Sequence, residues 1–322
     1  MRRAILGLVT LMLGCGSAWA QLPVTDKVIV SKTAKLKLDI HYPQTGLADL
    51  DRIFADDAKG YAADPDLNQT SEGANSGAMS YEIRRNDAAM FSVQVSTYSY
   101  YAGHAHGTPG MTSYNFLMPG GVQVFLPELV DGRRGLDRIS ELVMADLIRQ
   151  LGTGDLQAIR NGANPRGSSF QNFVWLPDAL EITFEPYEVA GYAQGEKKVR
   201  IPFSQLVGVI RPDPRASAPS FSCAAARSPI EKAICADAGL ARLDRQLAER
   251  YADKLDLNEV PAVRANERPT DERYRLAKQA EYELIVSNQR AWLKERNQAC
   301  PTLAKDCLSK AYRDRIKAVW GL

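Results

Sequence analysis

The 322-residue chain changes its hydrophobic period once. Up to about residue 210 the apolar positions fall in short runs, Val28-Ile29-Val30, Met90 to Tyr98, Leu180 to Phe184 and Val199 to Pro202. They are rich in β-branched and aromatic residues and bounded by Gly, Pro, Asn or Asp, which is the pattern of strands. Two stretches between them, Gly46 to Tyr61 and Leu136 to Leu151, carry helical spacing, the second with Leu136, Ile139, Val143, Leu147 and Leu151 on one face. Together they predict an α+β N-terminal domain with a mostly antiparallel sheet. The Ser-, Asn-, Gly- and Asp-rich stretch Asp64 to Ser80 reads as an exposed loop between an early helix and that sheet.

Beyond residue 220 the period becomes that of a helix. Ser228-Pro229-Ile230-Glu231 is a capping box with proline at the first helical position, where a missing N–H costs nothing. Ile230, Ile234, Leu240, Leu243, Leu247, Tyr251 and Leu255 then form an apolar stripe, with a kink or break expected at Gly239. A second helix is predicted from about Asp271 to Gln298. A third runs from about Leu303 to Val319, with Leu308, Tyr312, Ile316 and Val319 in register. The expected C-terminal unit, residues 221–322, is a small all-α bundle. Residues 211–220 hold three prolines and no large apolar side chain, the composition of a stiff linker between domains, so 21–210 and 221–322 are the expected units.

The first twenty residues set the compartment. Arg2 and Arg3, the apolar run Ile5 to Leu13 and Ala18-Trp19-Ala20 make a secretory signal peptide with cleavage before Gln21. The competing reading is a lipoprotein signal with Cys15 as the lipidated residue, which Met12 and Leu13 fit poorly. No later run is long enough to span a membrane. In an oxidising compartment Cys223, Cys235, Cys300 and Cys307 read as two disulfides in one module. Four cysteines allow three pairings. The local pairs, Cys223 with Cys235 and Cys300 with Cys307, are favoured because each folds a short segment against the first turns of a helix. Zinc would need a closer cysteine knuckle than separations of twelve and seven residues provide.

Charge adds one refinement. The formal charge of +2 is too small for a nucleic-acid-binding face. Residues 221–322 carry 19 Lys+Arg against 15 Asp+Glu, so residues 21–220 are acidic, at about −4.

Chemistry is harder to find. Tyr98-Ser99-Tyr100-Tyr101-Ala102-Gly103-His104-Ala105-His106-Gly107 puts two of the three histidines one residue apart, which in a strand would aim both rings to one face. A metal site needs a third ligand, His41 is distant, and no His-Glu-x-x-His helix is present. The plainer reading is a glycine-rich turn after an aromatic strand, with direct partner contact as the functional alternative. Serine elbows and phosphate loops are absent, and paired carboxylates cannot be singled out among 38 acids. The second unusual run, Leu180 to Phe203, ends a strand at Pro186 and then presents Tyr187 and Tyr192. Tyrosines on a rigid loop offer large amphipathic area at low entropy cost. A binding protein is expected rather than an enzyme, with no catalytic residue, metal or cofactor.

Several of these residues carry resemblances. Phe91-Ser92-Val93 through Tyr98, the turn ending His106-Gly107, Ser113-Tyr114-Asn115-Phe116, and Pro186-Tyr187-Glu188-Val189-Ala190 to Ile201-Pro202-Phe203 resemble the extracytoplasmic domain of RsiV-type anti-sigma factors and the accessory domain of PdaC-type polysaccharide deacetylases. That resemblance spans about residues 25–210 and implies lysozyme binding. Its usual Gly-Gly-Ala-His-Gly turn stands here as Ala102 to Gly107, and its Ala-Pro-Tyr as Ala190-Gly191-Tyr192. Downstream, Phe221-Ser222-Cys223, Ser228 to Cys235, Leu243-Asp244, Gln289 to Arg296, Cys300, Cys307-Leu308 and Tyr312 to Ile316 resemble the LprI family of lysozyme inhibitors. The expectation is an exported cell-envelope protein that binds or inhibits lysozyme, or a related peptidoglycan hydrolase, by occluding its cleft. Tyr100, His104, His106, Tyr187 and Tyr192 are the candidate contact residues. The alternative is a peptidoglycan- or polysaccharide-binding accessory module.

Overall fold

Strand-period alternation builds the larger of two sheets. The computed structural model describes residues 21–69, 73–211, 218–258 and 272–320. The expected signal peptide, Cys15 and most of the proline-rich linker lie outside the described residues.

Six strands, β1 (Thr25–Lys32), β2 (Leu36–Gln44), β3 (Asn75–Asn86), β4 (Met90–Tyr100), β5 (Thr108–Leu117) and β6 (Val122–Gln123), lie in that order. Every neighbouring pair is antiparallel except β2 and β3. Between those two the chain crosses through α1 (Ala48–Ala62) and the short α2 (Pro65–Asn68). The expected loop from Asp64 to Ser80 is therefore corrected. Asp64 caps α2 through its carboxylate, and β3 begins at Asn75, whose side-chain amide donates to the carbonyls of Asp66, Leu67 and Gln69. Polar residues here satisfy backbone groups inside the fold, so polarity alone misled.

Along β4 and β5 the two faces divide the work. Phe91, Val93, Val95, Tyr114 and Phe116 face α1, where Phe54 meets the rings of Tyr114 and Phe116 edge-on. The opposite face carries Ser92, Gln94 and Asn115, all buried. Those groups meet a second antiparallel sheet of β7 (Phe173–Trp175), β8 (Ala179–Phe184) and β9 (Lys197–Pro202), reached through α3 (Leu126–Leu129), α4 (Gly132–Leu151) and α5 (Leu156–Gly162). Asn115 donates to the Phe173 carbonyl at 2.8 Å and accepts from the Trp175 N–H at 3.0 Å, and Gln94 donates to Thr183 Oγ1 at 3.2 Å. Arg84 reaches Glu181 at 2.8 Å. Leu180, Ile182 and Phe184 point the other way, onto Ile139, Val143 and Leu147 of α4. The predicted helix stripe and the predicted strand thus bury each other.

Among the described residues the helical part has four helices where three were expected, α6 (Pro229–Ala236), α7 (Ala238–Asn258), α8 (Glu272–Ala299) and α9 (Lys305–Trp320). The capping box at Ser228 forms reciprocally, at 3.2 Å and 2.9 Å. The break falls at Asp237, whose carboxylate accepts the N–H groups of Gly239 and Leu240 and starts α7. Disulfides join Cys223 to Cys235 and Cys300 to Cys307. Ile230, Ile234, Leu240, Leu247, Leu308, Tyr312, Ile316 and Val319 form the core.

Helix α7 also packs on the N-terminal part. Gln246 donates to the Gln123 carbonyl and to Glu128 Oε2, at 3.2 Å and 2.9 Å, and the Arg250 guanidinium lies 3.8 Å from the centre of the Phe125 ring. Glu128 also accepts the Phe125 N–H and stands 3.8 Å from Arg242 Nε.

Candidate functional site

The segments that stand out in sequence, Tyr98 to Gly107 and Glu185 to Tyr192, meet at one end of the N-terminal part. The turn after β4 leads into β5, and the turn after β8 leads into β9. The His106 imidazole stacks on the Tyr192 ring with centroids 4.5 Å apart and planes 23° apart. Tyr187 continues the series at 5.6 Å from Tyr192. Tyr187 is the outermost of the three, 70% exposed.

Local sequence explains how each turn is held. At Gly107 the Tyr98 hydroxyl accepts the backbone N–H at 3.1 Å, and a Cβ there would lie 2.4 Å from the Tyr98 ring, so only glycine lets the turn fold onto the tyrosine. His106 Nδ1 donates to the Gly107 carbonyl at 3.0 Å, which places the proton on that nitrogen and fixes the ring. In the other turn Glu188 N–H donates to the Glu185 carbonyl at 3.1 Å, closing a four-residue turn with Pro186 second and Tyr187 third. Tyr187 has φ +75, the left-handed value that the third position of a type II turn demands. Glycine is the usual occupant, and a tyrosine there costs about 1–2 kcal/mol of backbone strain. The turn tolerates it because buried Val189 and Ala190 anchor its far end and the Tyr187 N–H donates to the Ala190 carbonyl at 3.0 Å. Underneath, Gly162 at the end of α5 admits the Glu188 carbonyl so closely that a Cβ would stand 2.1 Å from it.

Two carboxylates bracket Tyr187 in the same turn. Glu185 accepts the Met111 N–H from β5 at 2.5 Å, and Glu188 accepts the Glu185 N–H at 2.7 Å. Burial pushes the proton affinity of both above the ordinary carboxylate value, with repulsion from Glu196 adding at Glu185 and from Glu185 adding at Glu188.

The five candidate residues therefore divide. His106, Tyr187 and Tyr192 form the stack. His104 turns away, its ring 5.5 Å from Tyr101, and Tyr100 stands half-buried at the end of β4, paired with Ser76. The two histidines lie in a turn, not a strand, which is why their rings part. His41 sits elsewhere, on β2 between Asp26 at 2.6 Å and Asp39 at 3.2 Å, and chiefly the Asp26 hydrogen bond raises its proton affinity. Among the described residues no three His, Cys, Asp or Glu side chains converge to hold a metal ion. Sequence reasoning overlooked Glu185 and Glu188, although Glu-Pro-Tyr-Glu is a turn signal that brackets Tyr187 with acids. It also overlooked Gly162.

In the helical part, the residues singled out by resemblance join the helices. Buried Tyr312 of α9 donates to Asp244 of α7 at 2.8 Å and accepts from Arg296 of α8 at 2.7 Å, with the Trp292 ring edge-on at 5.4 Å. The other Asp244 oxygen accepts the N–H and hydroxyl of Ser220. These groups serve architecture.

Comparison with known proteins finds two family matches. Residues 223–319 match the family described as Lysozyme inhibitor LprI, and residues 128–204 match a family described as Protein of unknown function (DUF3298). No curated protein matches the chain. The chain is similar to the crystal structure of a DUF3298 family protein from Pseudomonas aeruginosa PAO1, with 16% identity and a TM-score of 0.48, over 59% of this chain and 95% of that one. It is also similar to that of a DUF3298 family member from Bacteroides fragilis NCTC 9343, with 14% identity and a TM-score of 0.42, over 61% and 97%.

Proposed function

We propose that the protein is an exported binding protein that inhibits lysozyme, or a related peptidoglycan hydrolase, by seating the Tyr187–Tyr192–His106 stack in the enzyme's glycan cleft. The observation that carries the proposal is Tyr187 itself. A large aromatic held in a left-handed turn position, mostly exposed and backed by two further rings, lowers the stability of the fold and is explained by what it contacts outside it. Similarity of residues 223–319 to a lysozyme inhibitor family supplies the partner class. Two disulfides support an oxidising compartment, and among the described residues no helix is long and apolar enough to cross a membrane. Inhibition here is occlusion and needs no chemistry from the inhibitor. Acidic groups in the turn that carries Tyr187 suit a basic enzyme and would speed encounter at low salt.

A lysis assay tests this reading. Mature protein should slow lysis of a peptidoglycan suspension by c-type lysozyme, and the Tyr187→Ala/Tyr192→Ala variant should not. Sedimentation with insoluble peptidoglycan in the absence of lysozyme would instead favour a glycan-binding accessory module, for which aromatic rings beside carboxylates are also suitable chemistry.

A further inference from the structure

The exposed aromatic patch has a charge as well as a shape. Glu185 and Glu188 stand in the same four-residue turn as Tyr187, each accepting one backbone N–H through one oxygen. Among the described residues neither is within ion-pair distance of a cation. Nearby Lys198 is engaged with Glu196 at 3.1 Å, and the Lys197 ammonium donates to the carbonyls of Gln194 and Glu196. The turn that carries the most exposed ring thus also carries two carboxylate oxygens, Oε2 of Glu185 and Oε1 of Glu188, with acceptor capacity to spare. Both acids are destabilised in their charged form by burial, with repulsion from Glu196 adding at Glu185 and from Glu185 adding at Glu188.

Of the side chains a protein partner can offer, one matches both features. A guanidinium is planar, stacks on an aromatic face and donates in a fork that fits carboxylates. An ammonium supplies charge without the plane, and an apolar side chain leaves the acids unrelieved. We infer that the patch receives an arginine of the partner protein, its guanidinium laid on the Tyr187 ring and its N–H groups donated to Glu188 and Glu185. This deepens the reading of the stack as a docking surface by naming the group it selects. It also gives a linkage. A bound cation lowers the proton affinity of both carboxyls, so binding releases protons and tightens as pH rises through the carboxylate range.

The test uses a probe independent of any enzyme. Isotope-labelled mature protein is titrated with N-acetyl-arginine amide and, separately, with the citrulline counterpart, which keeps the shape and lacks the charge. The arginine probe should shift the amide resonances of Met111, Glu185, Tyr187, Glu188 and Tyr192. The citrulline probe should bind about tenfold more weakly or not at all. A Glu185→Gln/Glu188→Gln variant, which can still accept the two backbone N–H groups, should lose the difference between the probes. Equal response to both probes, response elsewhere or no response overturns the inference, as does a chito-oligosaccharide shifting these amides where arginine does not. A parallel titration with lysozyme keeps the two readings apart. If the arginine probe binds the patch and lysozyme does not, the inhibitor reading fails alone. If lysozyme binds wild type and the double-glutamine variant equally, the arginine inference fails alone.

Discussion

Replacing Glu128 with glutamine should flatten the pH dependence of stability, because this one carboxyl is ionised at a cost inside the contact between α3 and α7. Glu128 is 3% exposed, and burial pushes its pKa from the ordinary 4.5 to about 7. Repulsion from Glu249 adds to the rise. The Phe125 N–H, the Gln246 amide and Arg242 at 3.8 Å offset only part of it. At about 1.4 kcal/mol per tenfold change in proton affinity, ionising the buried group costs the folded state roughly 3 kcal/mol. The sign follows from linkage. The folded state holds this proton more tightly than the unfolded chain, so the contribution is complete below about pH 4.5 and is lost as pH rises through about 7. Glu128→Gln carries no titrating proton and keeps an oxygen for Phe125 and Gln246. The attraction of Arg242 arises only as Glu128 ionises and is already contained in the pKa of about 7. Urea unfolding of both proteins from pH 4.5 to 8, followed by fluorescence, should show the wild-type-minus-variant difference falling by roughly 3 kcal/mol as pH rises. Comparing the difference cancels the other titrating groups, His41, Glu185 and Glu188 among them. Parallel curves would refute the assignment of the cost to Glu128, and a difference that grows with pH would mean that Arg242 attraction outweighs burial.

Further predictions concern the turn and the helical part. At Tyr187 the usual order of glycine and alanine should reverse: chemical denaturation should find Tyr187→Gly more stable than Tyr187→Ala by about 0.5–1 kcal/mol, since only the former relieves the φ of +75, and both should lose partner binding. Gly162→Ala should push the Glu188 carbonyl outward and weaken binding more than it lowers the melting temperature, read by titration and calorimetry on one preparation. Tyr312→Phe removes the hydroxyl shared by Asp244 and Arg296 and should cost about 2–3 kcal/mol in unfolding free energy, with Asn at 244 not restoring it. Removing the Cys223–Cys235 disulfide by paired Cys→Ser substitution should cost about 3 kcal/mol, and removing Cys300–Cys307 about 2.5, since the loop entropy grows with the logarithm of loop length.

What was legible beforehand has a common physical character. Ser228 and Glu231 announce a helix start because a cap is a local hydrogen-bond arrangement, whereas four cysteines left three pairings open and only favoured the local pairs that form. The apolar faces of β8 and α4 were readable because period alone decides which side is buried. The rest depends on groups far apart in the chain. Ser92, Gln94 and Asn115 look like exposed strand positions until the second sheet covers them. Asn75 looks like loop until its amide closes three carbonyls. Asp237 captured the helix break because its carboxylate caps α7, two residues before the glycine that composition indicated. The aromatic residues of both turns were visible in sequence, but their stacking was not, since it requires β4–β5 and β8–β9 to end on the same side. Nor could sequence reveal that Tyr187 occupies a position glycine would fill.

The most direct test of the account is calorimetric titration of c-type lysozyme with the mature protein and with its Tyr187→Ala/Tyr192→Ala variant. The account predicts a saturable complex for the wild type and a loss of affinity of about a hundredfold or more for a folded variant, as expected when aromatic anchors at the centre of an interface are removed. A wild type that forms no complex, or a variant that binds as well as the wild type, would contradict it.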